Sequence, residues 1–191
     1  MSSKTMPSTT MQNTKPSLPS VSWQLTSFAE LSAYQIYNII QAREQVFVKD
    51  QKCSYIDADG LDFEAMHLSA YQDDTDSQNI NKNHAAQVLA YCRILAPVIT
   101  NHPDMPSTAH SYPRIGRVLV VADYRGYGLA RQLMIWAIDY CHIQFPKQPI
   151  HISAQTYLIE FYQSLGFICD GLVYAEEGIE HIHMILDDIK A

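Results

Sequence analysis

The sequence lacks several features that would assign a chain of this size to a class at once. No apolar run approaches the roughly 20 residues that a membrane-spanning helix needs. The four cysteines, Cys53, Cys92, Cys141 and Cys169, form no C-x-x-C pair, which argues against a zinc site and against a disulfide framework. Positive charge is scarce: 13 Lys and Arg stand against 20 Asp and Glu, a formal charge of -7, whereas a nucleic-acid binder would more often be basic. An acidic surface would weakly favour cationic partners. The phosphate loops G-x-x-x-x-G-K-[ST] and G-x-G-x-x-G are both absent. No internal repeat is visible. Glycine is sparse, 7 residues in 191, so two glycines close together mark a place worth reading.

What is present is enough for one domain with a full core. A hydrophobic fraction of 47% with 17% charged residues reads as globular. Met1–Ser20 is rich in Ser, Thr, Pro and Met and has no apolar stretch of the kind a signal peptide carries, so a disordered tail is expected there, followed by one domain over 21–191. Scattered cysteines with no pairing pattern fit a reduced, cytoplasmic setting with no metal site.

Along the chain, Val21–Leu25 reads as a first strand. Two capping signals follow, Ser27-x-x-Glu30 and Ser32-x-x-Gln35, either of which starts a helix running to about Val48. Ile36, Ile40, Arg43 and Phe47 share one stripe of it. An arginine on an apolar stripe either snorkels to water or pairs with a carboxylate of the next loop. That loop, Lys49–Asp62, holds Asp57, Asp59 and Asp62, but their spacing fails the calcium-loop pattern, leaving a turn-rich substrate loop as the expectation. Ala65–Tyr71 and Gln87–Leu95 alternate as strands around a polar hairpin loop, Gln72–Ala85, and Pro97–Pro113 is a long connection.

The chain is organised around Ile115–Tyr140. An apolar strand, Val118–Val121, turns through Arg125-Gly126-Tyr127-Gly128 into a helix with Leu129, Leu133, Trp136/Ala137 and Tyr140 on one face. Glycine lets the backbone approach a ligand closely, and the unpaired N–H groups of a first helical turn favour an anion. A phosphate-bearing cofactor is the expectation. Beyond it lie a strand, Ile150–Ala154, a helix, Tyr157–Leu165, capped by Thr156 or Ser153 and ended by Gly166, and closing strands at Phe167–Asp170 and His181–Leu186. The order β-α-β-β-β-α-β-α-β-β implies one mixed α/β sheet.

Arg125-x-x-Gly128-x-Ala130 resembles the pyrophosphate loop [RQ]-x-x-G-x-[GA] of the GNAT acyl-CoA acyltransferases. Phe161-Tyr162-x-x-x-Gly166-Phe167, one βα unit later, also resembles that family's pattern. The segments Arg43–His67, Ser153–Gln155 and Glu176–Ile182 look like its ElaA-type branch, and the likeness covers essentially all of Trp23–Leu186. The resemblance implies a single-domain, mostly antiparallel central sheet, splayed at the cofactor site and flanked by helices. It also implies acetyl-CoA as donor, a small-molecule or peptide amine as acceptor and a possible homodimer, while the acidic charge and the lack of a long apolar run lead to the expectation of no nucleic-acid and no membrane partner.

The residues the resemblance assigns to the cofactor are Val118, Leu119 and Val120 along the pantetheine arm, Arg125, Gly126, Tyr127, Gly128, Leu129, Ala130 and Arg131 at the pyrophosphate, and Gln155 where the family often has Asn. Tyr162 would sit beside the thioester sulfur and protonate the departing thiolate, a role open to a phenol that is neutral at pH 7. The bases open to the incoming amine are Glu64, His67, Glu177 and His181, of which His181 lies in the family-like ending. Two other readings share these features: an acyl-homoserine lactone synthase, whose N-terminal half carries a similar R-x-x-V-F segment, and a CoA-binding sensor that has lost turnover.

Overall fold

The computed structural model describes residues 18–73, 87–97 and 111–187. Most of the expected tail, the hairpin loop and the long connection lie outside the described residues.

The first strand, β1 (Val21–Ser27), is followed by both capping boxes. Ser27 and Glu30 bracket a single 3-10 turn, and Ser32 caps α1 (Ala33–Arg43), accepting from the Gln35 backbone N–H. The α-helix stops at Arg43, short of the expected Val48. The chain then widens into a π-type segment, Glu44–Asp50, with Gln51 N–H donating to Val46 C=O at 3.1 Å. Ile39, Ala42, Arg43, Val46 and Phe47 form the buried face, while Ile36 and Ile40 are only half-buried.

Strands β2 (Ala65–Gln72), β3 (Val88–Leu95) and β4 (Arg114–Val120) form an antiparallel meander with β1. α2 (Leu129–Gln144) follows, then β5 (Ile150–Gln155), a 3-10 turn leading into α3 (Ile159–Gln163), β6 (Ile168–Cys169), β7 (Tyr174–Glu176) and β8 (Ile179–Leu186). No side chain caps the turn before α3; its N-cap is Gln155, so neither Thr156 nor Ser153 has the expected role. β7 is an added strand, too short to show alternation. It forms a hairpin with β8, pairing Tyr174 with His181.

The sheet runs β1-β2-β3-β4-β5-β8-β6, with β7 on β8. Every pairing is antiparallel except β4 with β5, which are parallel and share one partnered position, Arg114↔His151. The His151 N–H donates to the Pro113 C=O at 3.0 Å at that junction. Beyond it the two strands part, and the sheet splays as expected.

Helices cover both faces. On one, α2 buries Leu129, Leu133, Met134, Ala137, Ile138 and Cys141, a one-sided stripe, against Cys92, Ile94, Ile115 and Ile152, with Tyr162 and Phe167 closing the cluster. Each leucine, isoleucine, methionine or phenylalanine among them contributes about 1.5–3 kcal/mol of hydrophobic stabilisation. Trp136 departs from the expected stripe: it is 41% exposed and its ring packs on Trp23 at 4.9 Å, because Met134 and Ile138 take the inward positions. On the other face, Ile39, Val46 and Phe47 pack on Tyr91, Leu119 and Val121.

Candidate functional site

A cleft of about 1010 Å³ follows the parting of β4 from β5. Val121 N–H donates to Leu89 C=O, and Leu119 lies opposite Tyr91. Backbone groups alternate along an antiparallel strand, so those of Val118 and Val120 face away from β3, into the gap. Arg117 stands just before them at φ 53, where the β3–β4 register shifts. Bulges of this kind re-aim a strand. The Val120 C=O accepts from Arg125 Nε at 3.0 Å.

The glycine turn closes one end. Gly126 (φ 78) and Gly128 (φ 84) both adopt left-handed backbone, which glycine enters without the strain a Cβ brings. Gly128 is the N-cap of α2, and the first helical bond is Gln132 N–H to Gly128 C=O at 3.1 Å. The N–H groups of Leu129, Ala130 and Arg131 therefore have no intrahelical acceptor. A Cβ at Gly128 would meet nothing within 4 Å, so the glycine answers to backbone conformation and to the open space beside it.

Of the residues assigned from the sequence, Val118, Leu119, Val120, Arg125, Gly126, Gly128, Leu129, Ala130, Arg131, Gln155, Tyr162 and His181 all line this one cleft. Tyr127 does not line it and is half-buried outside. Leu119 turns its side chain into the core at 3% exposure, so it meets the cleft at its edge only. Gln155 Nε2 donates to Gln51 Oε1 at 3.0 Å, tying the end of β5 to the end of the π-type segment. Arg131 donates to the Ser164 hydroxyl at 2.5 Å.

Tyr162 is 5% exposed, between Phe161 and Phe167. Burial, followed by the neighbouring Cys92 and Tyr157, pushes its hydroxyl well above the ordinary phenol range, so it stays protonated at any physiological pH. Of the four basic candidates, only His181 reaches the cleft. Its Nδ1 donates to the Ile179 C=O at 2.9 Å, which leaves Nε2 as the acceptor in the neutral ring. His67 is 2% exposed and bonds the Tyr91 hydroxyl at 2.8 Å and the Asp62 C=O at 3.0 Å; burial lowers its pKa, and its role is in the core. Glu64 is exposed and Glu177 sits in the β7–β8 turn beside Ser54, both off the cleft.

The three loop aspartates are held in ion pairs. Arg43, 1% exposed, pairs through Nε with Asp57 at 2.6 Å and through a terminal nitrogen with Asp62 at 2.7 Å, and it also donates to the Asp57 C=O at 2.8 Å. Pairing, not snorkelling, is its fate. Arg93 reaches Asp59 at 2.6 Å and Asp62 at 3.0 Å. Arg117 Nε lies 2.7 Å from Asp57 Oδ1 without an aligned hydrogen bond, and its guanidinium sits over the Tyr55 ring at 5.3 Å. Burial alone would raise the Asp59 carboxyl, but the bonds and charge of Arg93 outweigh it and hold it down at about 2. For Asp62 burial again raises the pKa, and Arg43 and Arg93 overcome it. The expected substrate loop is thus anchored, with Cys53, Tyr55 and Asp59 forming part of one wall of the cleft.

Residue-by-residue reading of the sequence missed Arg114, Asp50, Asp170, Glu176 and His183, all of which line the same cleft. For His183 a signal existed: residues two apart on a strand share a face, and β8 presents His181 and His183 opposite Gln155 and Ser153.

A sheet parted at a parallel junction, with a glycine turn and a helix N-terminus at one end and a buried phenol along it, is the arrangement of an acyltransferase fold. The chain belongs to the GNAT acyltransferase family: residues 57–187 match the family model described as the acetyltransferase (GNAT) domain. Within it, the chain is similar to protein ElaA of Escherichia coli K12, at 35% identity over 173 residues, covering 90% of this chain and 99% of that one. The crystal structure of Escherichia coli ElaA superposes with a TM-score of 0.70 at 34% identity, covering 88% of this chain and 100% of that one. An acyl-CoA N-acyltransferase from Pseudomonas aeruginosa superposes at 0.71 with 34% identity, over 87% of this chain and 99% of its own. The acyl-homoserine lactone synthase LasI shares the fold at a TM-score of 0.63, with 14% identity. Among the described residues no helix is long and apolar enough to cross a membrane.

Proposed function

We propose that this chain transfers the acetyl group of acetyl-CoA to a primary amine by direct attack. The observation that carries the reading is the parting of β4 from β5 beyond Arg114↔His151, which leaves one continuous cleft lined by both the Gly126–Arg131 turn and Tyr162. The turn suits a diphosphate: free N–H groups, the positive end of a 16-residue helix, and Arg125 and Arg131 beside them. The backbone edge at Val118 and Val120 faces the gap away from β3, with the Val120 C=O already bonded to Arg125, and it suits the amide-bearing pantetheine arm.

When bound, acetyl-CoA supplies a thioester carbonyl for the amine. The Val118 N–H donates to that carbonyl oxygen and steadies the charge that builds there. His181 Nε2 takes the first proton from the ammonium, directly or through one water. As the new C–N bond forms and the C–S bond breaks, Tyr162 gives its hydroxyl proton to sulfur, and the second proton leaving nitrogen restores the phenol. The walls align the two reactants, which supplies much of the acceleration.

A thiol-release assay with acetyl-CoA against a broad amine panel tests the reading. Tyr162→Phe is expected to lower kcat by about 10²–10⁴-fold while the KM for acetyl-CoA stays within about twofold. Calorimetric binding of acetyl-CoA with no thiol release from any amine would instead favour a sensor, and unchanged turnover of Tyr162→Phe at every pH would remove the acid from the scheme.

A further inference from the structure

The walls of the cleft differ in charge from end to end. Near the Arg114↔His151 junction, three guanidiniums, Arg43, Arg93 and Arg117, are matched by three carboxylates, Asp57, Asp59 and Asp62. Arg114 is a fourth cation. It is half-buried and lines the cleft, and among the described residues no carboxylate pairs with it. Its Nε is buried without a hydrogen-bond partner, an arrangement that costs free energy unless something completes it. Burial, then the neighbouring charge of Arg93, pulls its pKa below the ordinary guanidinium value, outweighing Tyr112 and the charge of Asp59, which is itself bonded to Arg93; a further anion would relieve both. Beside it the His151 and Tyr112 rings stack at 3.4 Å and form a flat wall.

Farther from the junction, the β5–β8 side of the same cleft is acidic and imidazole-bearing. Asp50, Asp170 and Glu176 line it together with His181 and His183. His181 is opposite Gln155 in the sheet, and Gln155 lies four residues along β5 from His151. At the strand rise that is about 13 Å from the level of Arg114. The cleft therefore presents carboxylates and a base at one level and, at another, a guanidinium with no carboxylate in contact among the described residues.

From this polarity we infer that the acceptor is an amine carrying its own carboxylate, with Arg114 as the residue that binds the anionic end while the ammonium lies toward His181. The inference rests on the acyl-transfer reading and names the acceptor class for that site. A planar guanidinium takes a carboxylate through two parallel N–H bonds, a geometry that a carboxamide, with one oxygen and no charge, does not match. A diamine would place a second cation against Arg114 and is selected against by the same contact.

Matched pairs of amines test this: ω-amino and α-amino acids against their own carboxamides, by thiol release with acetyl-CoA. At least one acid is expected to exceed its amide in kcat/KM by about tenfold to a hundredfold, the range of a charge-assisted bidentate contact. The ratio falls toward one in Arg114→Gln and is partly restored in Arg114→Lys. Circular dichroism melts of the variants separate loss of recognition from loss of fold. Equal use of acids and amides by the parent chain, or a ratio untouched by Arg114→Gln, overturns the carboxylate assignment and leaves acyl transfer standing. Calorimetry of the same acids and amides with coenzyme A present separates the two ideas further. Acid binding that depends on Arg114 without any thiol release keeps the anion subsite and sinks acyl transfer, and neither binding nor release removes both.

Discussion

Replacing Arg43 by methionine keeps the apolar stem of the side chain and removes the guanidinium, with its charge and its three hydrogen bonds, to Asp57 Oδ2, Asp62 Oδ1 and the Asp57 C=O. The cluster then holds three aspartates against Arg93 and Arg117, a change from zero to -1 in a place where Arg43 is 1% exposed. Breaking a buried ion pair from one side costs about 3–5 kcal/mol, because the remaining carboxylate has neither water nor a partner. Here Asp62 keeps Arg93 at 3.0 Å and Asp57 keeps Arg117 at 2.7 Å, so the lower end, about 3 kcal/mol, is the expected loss. For a domain of this length that is a fall of roughly 6–12 °C in Tm.

Urea denaturation followed by circular dichroism at pH 7 measures the loss, and its pH dependence identifies the cause. In the variant an uncompensated buried carboxylate has a folded pKa above its unfolded value of about 3.9. The deficit is then full at neutral pH and disappears below about pH 4, where the group is protonated in both states. Adding Asp57→Asn to the variant is expected to recover more than about 1 kcal/mol, since the two side chains are in contact. A variant within about 1 kcal/mol of the parent at pH 7, or a deficit that pH does not change, would refute the view that Arg43 stabilises this loop through charge.

Gly128→Ala adds a Cβ that meets nothing within 4 Å but forces a left-handed residue at φ 84, so a loss of about 1–2 kcal/mol in urea melts and a raised KM for acetyl-CoA are expected; an unchanged Tm would mean the turn relaxes freely. Asp59 and Asp62 have folded pKa values below the unfolded ones, so their stabilisation is complete above about pH 4 and is lost as pH falls, for Asp59 through about 2. With allowance for the solvent-facing position of Asp59, its share is roughly 1 kcal/mol, and Asp59→Asn is expected to flatten the stability profile below pH 4 in acid melts.

The parts of this fold that could be read from the sequence are those fixed by local chemistry. Ser32-x-x-Gln35 states the start of α1 because the cap is a bond between neighbours, and the glycines of Arg125–Gly128 announce a left-handed turn wherever the chain takes them. What could not be read depends on partners distant in the chain. The burial of the Arg43 side chain is set by ion pairs with residues 14 and 19 positions on, which pattern alone cannot rank against snorkelling. Trp136 looked like a core residue on helical spacing, and only the position of Trp23 shows why it stays near the surface. The same limit holds for the site. Tyr162 is marked by the family's F-Y-x-x-x-G-F, whereas Arg114 carries no motif and becomes conspicuous only when every neighbouring carboxylate is found to be engaged elsewhere.

The buried charges also bear on how the cleft keeps its shape. A well-packed apolar group in place of an ion network is often neutral or stabilising, so stability alone gives little reason for three arginines and three aspartates here. Direction is what an apolar group would not supply. Arg117 occupies a left-handed backbone position that costs a non-glycine residue about 1–2 kcal/mol, and it sits where the β3–β4 register shifts. Asp57 and the Tyr55 ring hold its guanidinium, and Asp57 is held in turn by Arg43 on the π-type side of α1. One network therefore ties the aspartate loop, 49–62, to the strand residue that turns Val118 toward the gap. On this view Arg43, which never reaches the cleft, sets the distance between its two walls, and Arg43→Met should raise acceptor KM before it touches the KM for acetyl-CoA, because the glycine turn proposed to hold the donor lies outside the network.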